Sequence, residues 1–227
     1  MDRILHTATD LIDRAANLDF DALAITLHDA QLNDRRVFDY ARDRGITLVP
    51  GIERTIEGRH VLLLNFPSAA AESVCTFEDL ARLRAKHGGG IVIAPHPFFP
   101  DRSCLRSRLA AHAELFDAVE WSYFWTRGID FNTRAERWAR EHGKALVGNS
   151  DLHDLRQFGR TFSLVDAAPE PSAICDAIRA GRVTVQTTPV PVPELVDVFG
   201  RMTIRGMVRT ILGARSQAPE LSSEGGL

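Results

Sequence analysis

Residues 145–153 read ALVGNSDLH, an apolar run that ends abruptly in side chains of the kinds that bind metals. The first four residues are typical of a buried strand, and Asp151 and His153 follow soon after it. The same arrangement is found upstream, where the apolar run IVIAP at 91–95 leads into His96. Because amphipathic stretches with helical spacing separate such runs, the pattern predicts βα units and a largely parallel sheet.

The rest of the chain follows the same alternation. We predict strands at 22–26, 46–50, 60–66, 91–94, 118–121, 145–148, 162–166 and 183–187. We predict helices at 7–18, 33–44, 77–87, 104–115, 131–142 and 171–181, and a basic amphipathic helix at 194–212. This is an α/β pattern, and about seven strands alternating with helices favour a barrel, with a doubly wound open sheet as the alternative.

The composition is that of an ordinary globular protein. The chain has 227 residues, of which 44% are hydrophobic and 25% are charged, and its net charge is −3. Charges of opposite sign are interspersed, so no extended nucleic-acid surface is expected. We predict a single domain over 1–212 and a disordered tail over 213–227, which is rich in Ser, Gly and Glu. The oligomeric state is left open.

Signals for export or membrane insertion are lacking in the sequence. The N-terminal residues have no apolar signal core, and the longest apolar runs, such as VLLLNF at 61–66, are too short to span a bilayer. We therefore expect a cytoplasmic protein that makes no membrane contact. Cys75, Cys104 and Cys175 are far apart and odd in number, which favours reduced thiols over disulfides or a thiolate zinc site.

Histidine and acidic residues recur at the ends of the predicted strands. Except for His60, they lie at or just past the C-terminal end of a strand, the edge where active sites assemble in parallel α/β proteins. His60 instead begins its strand, so it reaches the same rim only if that strand runs antiparallel. Such side chains supply the nitrogen and oxygen donors that zinc, manganese and iron prefer. The predicted metal ligands are His28, Glu53, His60, His96, Asp151 and His153, and Glu120 ends a further strand.

The motifs occur in the order found in one family of metal-dependent enzymes. They are FDALAITLHD at 20–29, GIERT at 51–55, GRHVLLL at 58–64, APHP at 94–97, GNSDLH at 148–153, RTFSLVD at 160–166 and AIRAGRVTV at 177–185. Over about residues 9–187 they resemble the PHP (polymerase and histidinol phosphatase) family of phosphoesterases. The resemblance implies a distorted (β/α)7 barrel that binds two or three divalent ions, which would be Zn, Mn or Fe.

Two departures from the family's pattern bear on function. Leu27 stands where the family usually has aspartate, and a leucine neither binds a metal nor supports a neighbouring histidine. The family also opens with a strand that carries an HxH motif, whereas this chain has only His6 and aligns best if Asp2 follows that motif. We therefore expect the first strand to be missing. Three explanations stay open: a start assigned too far downstream, a degenerate family member, or substitution by His6.

The implied chemistry is hydrolysis of a small phosphorylated substrate or a nucleotide. Two divalent ions about 3.5–4 Å apart clamp the phosphate oxygens and supply a metal-bound hydroxide that attacks phosphorus. Glu53 or Asp151 is the expected bridging carboxylate and catalytic group, and Arg127 and Arg160 are the candidates for binding the substrate phosphate. The predicted function is a phosphoesterase acting on a phosphomonoester or a short oligonucleotide. The alternatives are a degenerate, non-catalytic binding module and a related metal hydrolase of C–N bonds.

Overall fold

The computed structural model describes residues 6–194 and 197, and its regular elements follow the predicted alternation. The helices are α1 (Ala8–Ala16), α2 (Arg35–Asp43), α3 (Ser68–Glu72), α4 (Phe77–Lys86), α5 (Ser107–Ala111), α6 (Asn132–Glu141) and α7 (Pro171–Arg179). The strands are β1 (Ala22–His28), β2 (Thr47–Ile56), β3 (Arg59–Leu64), β4 (Ile91–Ala94), β5 (Ala118–Ser122), β6 (Ala145–Asn149), β7 (Thr161–Val165) and β8 (Val183–Thr187). Single turns of 3-10 helix lie at Ala113–Leu115 and Leu155–Gln157.

Six strands form one mixed sheet in the order of the chain, from β1 to β6. The pairs β1–β2, β4–β5 and β5–β6 are parallel, whereas β3 runs antiparallel to both β2 and β4. The strand β3 therefore has the direction that His60 needs to reach the C-terminal rim of its neighbours. The strands β7 and β8 pair antiparallel with each other in a separate two-stranded sheet.

The α/β class is confirmed, but closure into a seven-stranded barrel is not. In the described part of the chain, β1 and β6 each pair with one strand of the six-stranded sheet, so both are edges. The β7–β8 pair, whose two strands are connected through α7, lies against β6. There the Ser163 hydroxyl accepts from the Gly148 amide and donates to the Gly148 carbonyl oxygen. A Cβ on Gly148 would lie 2.6 Å from the Phe162 carbonyl oxygen, so glycine permits this close approach. The six-stranded sheet is thus an open half-barrel.

Local signals in the sequence set the ends of several elements. Thr7 and Asp10 form a capping box at the start of α1, and α4 begins with a second one; each box satisfies backbone N–H groups that the first helical turn leaves unpaired. The strands β2 and β3 join through Glu57 and Gly58, whose φ angles are 47° and 74°. Two successive positive φ angles are typical of a tight hairpin turn. That turn reverses the chain and makes β3 antiparallel.

Apolar side chains cover both faces of the sheet. Helices α3 to α6 pack on one face, around residues such as Ile52 and Val119. The helix α7 packs on the other face through Ile178, near the N-terminal ends of the parallel strands. Helices α1 and α2 pack beside β1, with Ile12 fully buried. Because α7 covers one end of the inner face, the opposite end of that face is left for the predicted ligands.

Some predictions fall beyond the described residues or stay untested. The basic helix at 194–212 and the tail at 213–227 lie outside the described residues, apart from residues 194 and 197, and so does Asp2. The domain boundaries therefore stay a prediction, although the chain up to Pro189 forms one compact unit that contains all eight strands. The three cysteines are free thiols, as the sequence predicts. Within the described residues, no helix has the length and apolar character needed to cross a membrane.

Candidate metal centre

Three of the predicted ligands meet around the carboxylate of Glu53. His28 ends β1 and pairs directly with Glu53 on β2, and His60 enters from the antiparallel strand β3. The Nε2 atom of His28 lies 3.5 Å from Oε2 of Glu53, and the Nδ1 atom of His60 lies 2.7 Å from Oε1. One ligand atom from each of the three residues lies within 4.8 Å of the other two. Two imidazoles and a carboxylate in this arrangement can hold a divalent ion.

Glu53 is buried and nevertheless ionised. Only 6% of the residue is exposed, and burial by itself raises the pKa of its carboxyl group. The nearby imidazoles of His60, His96 and His28 outweigh this effect, so the pKa lies below its ordinary value. The Nδ1 atom of His60 is buried and has no hydrogen-bond partner despite its closeness to Glu53. A nitrogen and a carboxylate oxygen that are close but not hydrogen-bonded fit two ligands of a shared cation.

His96 extends the cluster from the next strand. It follows β4, its Nε2 lies 3.7 Å from Oε1 of Glu53, and its Nδ1 lies 3.3 Å from the Cys104 sulfur. Burial lowers the pKa of His96, but Cys104, Glu53 and the nearby acidic groups raise it to well above the ordinary value. The φ angle of His96 is 28°, a backbone conformation that costs a non-glycine residue on the order of 1–3 kcal/mol. Such strain persists where the surrounding structure holds a side chain in place, as it does at this rim.

Asp151 and His153 lie in the loop that follows β6. Asp151 also has a positive φ, of 43°. The Nδ1 atom of His153 lies 3.0 Å from the Asp151 carbonyl oxygen, which leaves Nε2 as the nitrogen that could bind a metal. The loop is fixed by the buried side chain of Gln157, whose oxygen accepts from the backbone amides of His153 and Asp154, both at 2.8 Å.

The Gln157 contacts predict a measurable effect on metal affinity. Gln157→Leu is expected to weaken binding of Mn²⁺ by about 10–100-fold, because the supports that orient metal ligands contribute on that scale. Calorimetric titration with Mn²⁺ measures the change. The matched control is Gln186→Leu, since Gln186 is exposed on β8. Equal affinities in the two variants would show that the loop does not depend on Gln157.

Sequence reasoning missed the roles of two residues, one beside the cluster and one within it. Asp29 lies outside the cluster but fixes it: its carboxylate accepts from the Thr55 amide and hydroxyl and from Arg54, which ties the end of β1 to β2. Glu120 was noted only as the end of a strand. It is buried, and its pKa is raised to about 7 by burial and by the charges of Asp151 and Glu53, against the opposing effect of His96. Its place at the end of a predicted strand was the signal available in the sequence.

The remaining residues named in the sequence analysis, which are Arg127, Arg160, Leu27 and His6, have surroundings other than Glu53. Arg127 is exposed in the segment after β5, and Arg160 directly precedes β7, where its carbonyl oxygen accepts from the Thr188 amide. Leu27 packs against the apolar cluster of α1 and α2, so its side chain contributes to packing. His6 lies beside the 3-10 turn of the ligand loop, where its Nε2 accepts from the Leu155 amide at 3.4 Å.

A cavity of about 940 Å³ opens on the metal centre. His28, Glu53, His96, Glu120, Asp151 and His153 line one part of it. Its remaining walls are mainly apolar and come from β1, β6, β7 and α7. The cavity therefore lies between the two edges of the open half-barrel, and a ligand entering it would meet the metal centre.

Part of the chain matches a known family model. Residues 130–183, which run from just before α6 to the first residue of β8, match the model described as PHP-associated. A comparison with curated proteins finds no significant match.

Solved structures share the fold of the chain. A two-domain Bacteroides vulgatus protein containing a predicted PHP-like metal-dependent phosphoesterase has a TM-score of 0.62 and 19% identity, over 86% of this chain and 64% of that protein. PsfC from Pseudomonas syringae gives 0.58 and 17%, over 87% of this chain and 88% of PsfC. A proposed metal-dependent phosphoesterase from Bifidobacterium adolescentis gives 0.52 and 17%, over 66% of this chain and 83% of its own. The chain thus spans less than two thirds of the Bacteroides vulgatus protein.

The chain has the fold of PHP-like proteins. Residues 130–183 also match the PHP-associated model, in agreement with the resemblance drawn from the motifs. The metal site expected from the sequence agrees with the group formed by His28, Glu53 and His60.

Proposed function

We propose that the chain is a metal-dependent phosphoesterase that hydrolyses a phosphomonoester or a short oligonucleotide. The observation that carries this proposal is the group of His28, Glu53 and His60, of which His28 and Glu53 line a large cavity. The donor set fits zinc, manganese or iron, because two imidazoles and an ionised carboxylate supply borderline and hard ligands together. Two or three ions bound there are part of the proposal.

Glu53 is the central residue of the proposed mechanism. Its Oε2 atom faces His28, and its Oε1 atom faces both His60 and His96, so the one carboxylate lies between two groups of imidazoles. Divalent ions held by these groups would activate a water molecule at neutral pH and neutralise charge on the phosphate. Asp151 lies close enough to His96 to raise its pKa, and we propose that it is a ligand on the side opposite His28.

The rest of the cavity determines how the substrate is positioned. The ligand side chains occupy its polar part, so the phosphate is expected there and the remainder of the substrate towards the apolar walls. Arg127 and Arg160 stay proposals for phosphate contacts. Each would need to reach the mouth of the cavity when the substrate binds, since neither lines it in the described structure.

A second candidate function is a non-catalytic binding module. The edge of β1 that faces away from β2 has no partner strand in the described sheet, and the cavity lies along it. Leu27, which stands where the family has aspartate, packs in an apolar cluster beside this edge. A domain of this kind could retain its fold and lose hydrolysis.

A hydrolysis assay separates these functions. The chain loaded with Mn²⁺ or Zn²⁺ is incubated with p-nitrophenyl phosphate, nucleoside monophosphates and short oligonucleotides, and released phosphate or nucleotide is measured. We expect turnover that a chelator abolishes and that added metal restores. Bound metal without turnover on any phosphate ester would favour the binding module. Turnover confined to amides would point to C–N hydrolysis instead.

A further inference from the structure

Glu120 lies on the same face of the sheet as the proposed metal ligands. It pairs with Val147 of β6, and its neighbour two residues earlier, Ala118, pairs with Ile93 of β4. Ala118, Val147 and Ile93 all belong to the apolar cluster of the inner face. Because side chains alternate between faces along a strand, Glu120 extends this inner row towards the rim. Its carboxylate lines the cavity together with Glu53, His96 and Asp151.

The Glu120 carboxylate is only half satisfied by protein groups. The residue is 2% exposed. Its Oε2 atom accepts a hydrogen bond of 3.2 Å from the Asn149 amide, whereas Oε1 is buried and has no hydrogen-bond partner. A buried carboxylate oxygen without a partner is destabilising unless a ligand satisfies it.

The groups around Glu120 are those of a cation site. His96, Asp151 and Glu53 line the same cavity as Glu120. The buried carboxylates of Glu53 and Glu120 and the half-buried carboxylate of Asp151 lie around one imidazole. They leave an excess of negative charge, which a divalent ion would compensate.

We propose that Glu120 is a metal ligand, and that a second ion lies between Glu53, His96, Glu120 and Asp151. This inference rests on the metal centre proposed above and adds a residue to it. Glu53 would then be shared, with His28 and His60 holding the first ion. Among the described residues, only the ligand atoms of His28, Glu53 and His60 lie within 4.8 Å of one another. The ligand atoms around the second ion are therefore further apart than those around the first. Binding of the second ion would therefore bring these ligand atoms closer together.

The test is the number of metal ions bound by Glu120→Gln. The variant keeps the size of the side chain and its contact to Asn149 but removes the charge. The full chain and the variant are loaded with Mn²⁺, and bound metal is measured by equilibrium dialysis with elemental analysis. We expect two ions per chain in the unaltered protein. In the variant we expect the second ion to bind at least about 100-fold more weakly, beyond the effect of losing an outer partner.

Electron paramagnetic resonance of the same samples gives a second readout that does not depend on activity. A pair of neighbouring Mn²⁺ ions gives a spin-coupled spectrum, and a single ion gives the six-line spectrum of isolated Mn²⁺. We expect the spin-coupled spectrum in the unaltered chain and the six-line spectrum in Glu120→Gln. The control is Ser122→Ala, because the buried Ser122 hydroxyl on the same strand also lacks a partner but carries no charge.

The possible outcomes separate this inference from the proposed function. If Glu120→Gln binds two ions with unchanged affinity and keeps the coupled spectrum, Glu120 is not a ligand, although the metal centre stands. If the unaltered chain binds no ion, the proposal of a metal centre is contradicted, and so is the role of Glu120 in it. Should Glu120→Gln fail to fold by circular dichroism, Glu120→Ala is measured instead. It has no ligand atom in the side chain, so loss of the second ion supports the inference and binding of two ions contradicts it.

Discussion

Glu53→Gln is expected to lower metal-dependent hydrolysis by at least about 10³-fold, because the variant removes the one carboxylate that lies between both groups of imidazoles. Its two oxygens are the atoms nearest to His28, His60 and His96. A divalent ion contributes several kcal/mol to the stabilisation of a phosphoryl transition state, and each 1.36 kcal/mol corresponds to tenfold in rate. Loss of the shared ligand should therefore remove both ions and most of the rate.

The measurement combines the rate of phosphate release with the metal content of the same preparation. Glu78→Gln is the matched control, since Glu78 is an exposed residue of α4 that pairs only with Arg82 among the described ion pairs. The control should keep both the rate and the metal. If Glu53→Gln keeps its metal and more than about a tenth of the rate, Glu53 is not the shared ligand.

Asp117→Ala is expected to destabilise the fold by about 3–5 kcal/mol, the loss typical of breaking a buried ion pair. Asp117 directly precedes β5, and its side chain is 6% exposed. Its carboxylate accepts from both terminal nitrogens of Arg84 on α4 and from the Val92 amide on β4. Truncation would leave a largely buried guanidinium and a backbone N–H without their partner.

Urea unfolding followed by circular dichroism measures this change in stability. Asp176→Ala is the comparison, because Asp176 forms an exposed pair with Arg179 in the last turn of α7. Exposed pairs contribute about 0–1 kcal/mol, so the two aspartate variants should differ by at least about 2 kcal/mol. Equal losses would mean that the Arg84 contact does not link α4 to the sheet as described.

The strands that carry the centre could be predicted because each is a short apolar run with a polar end. The runs before His96 and Asp151 coincide with β4 and β6 to within one residue. The hairpin formed by β2 and β3 was harder to predict, because β2 extends to Ile56 through polar residues that resemble a loop in the sequence. In the structure, Arg54 and Thr55 bind Asp29, and these contacts extend the pairing with β1.

Other features depend on contacts between distant parts of the chain, which a linear pattern does not encode. The helix predicted over 104–115 is divided into α5 and a 3-10 turn, and α3 was not predicted. Closure of the barrel was expected from the family resemblance, yet strand pairing in the described residues ends at β1 and β6. The unpartnered oxygen of Glu120 becomes visible only when β4, β5 and β6 lie side by side.

The most direct test of the metal centre is the number of ions bound per chain, measured by elemental analysis after loading with manganese or zinc and removal of free metal. Two or more ions per chain are predicted, because Oε2 of Glu53 faces His28 whereas Oε1 faces His60 and His96, so that one carboxylate can serve two ions. Fewer than one ion per chain would contradict the proposed centre and would favour the binding module.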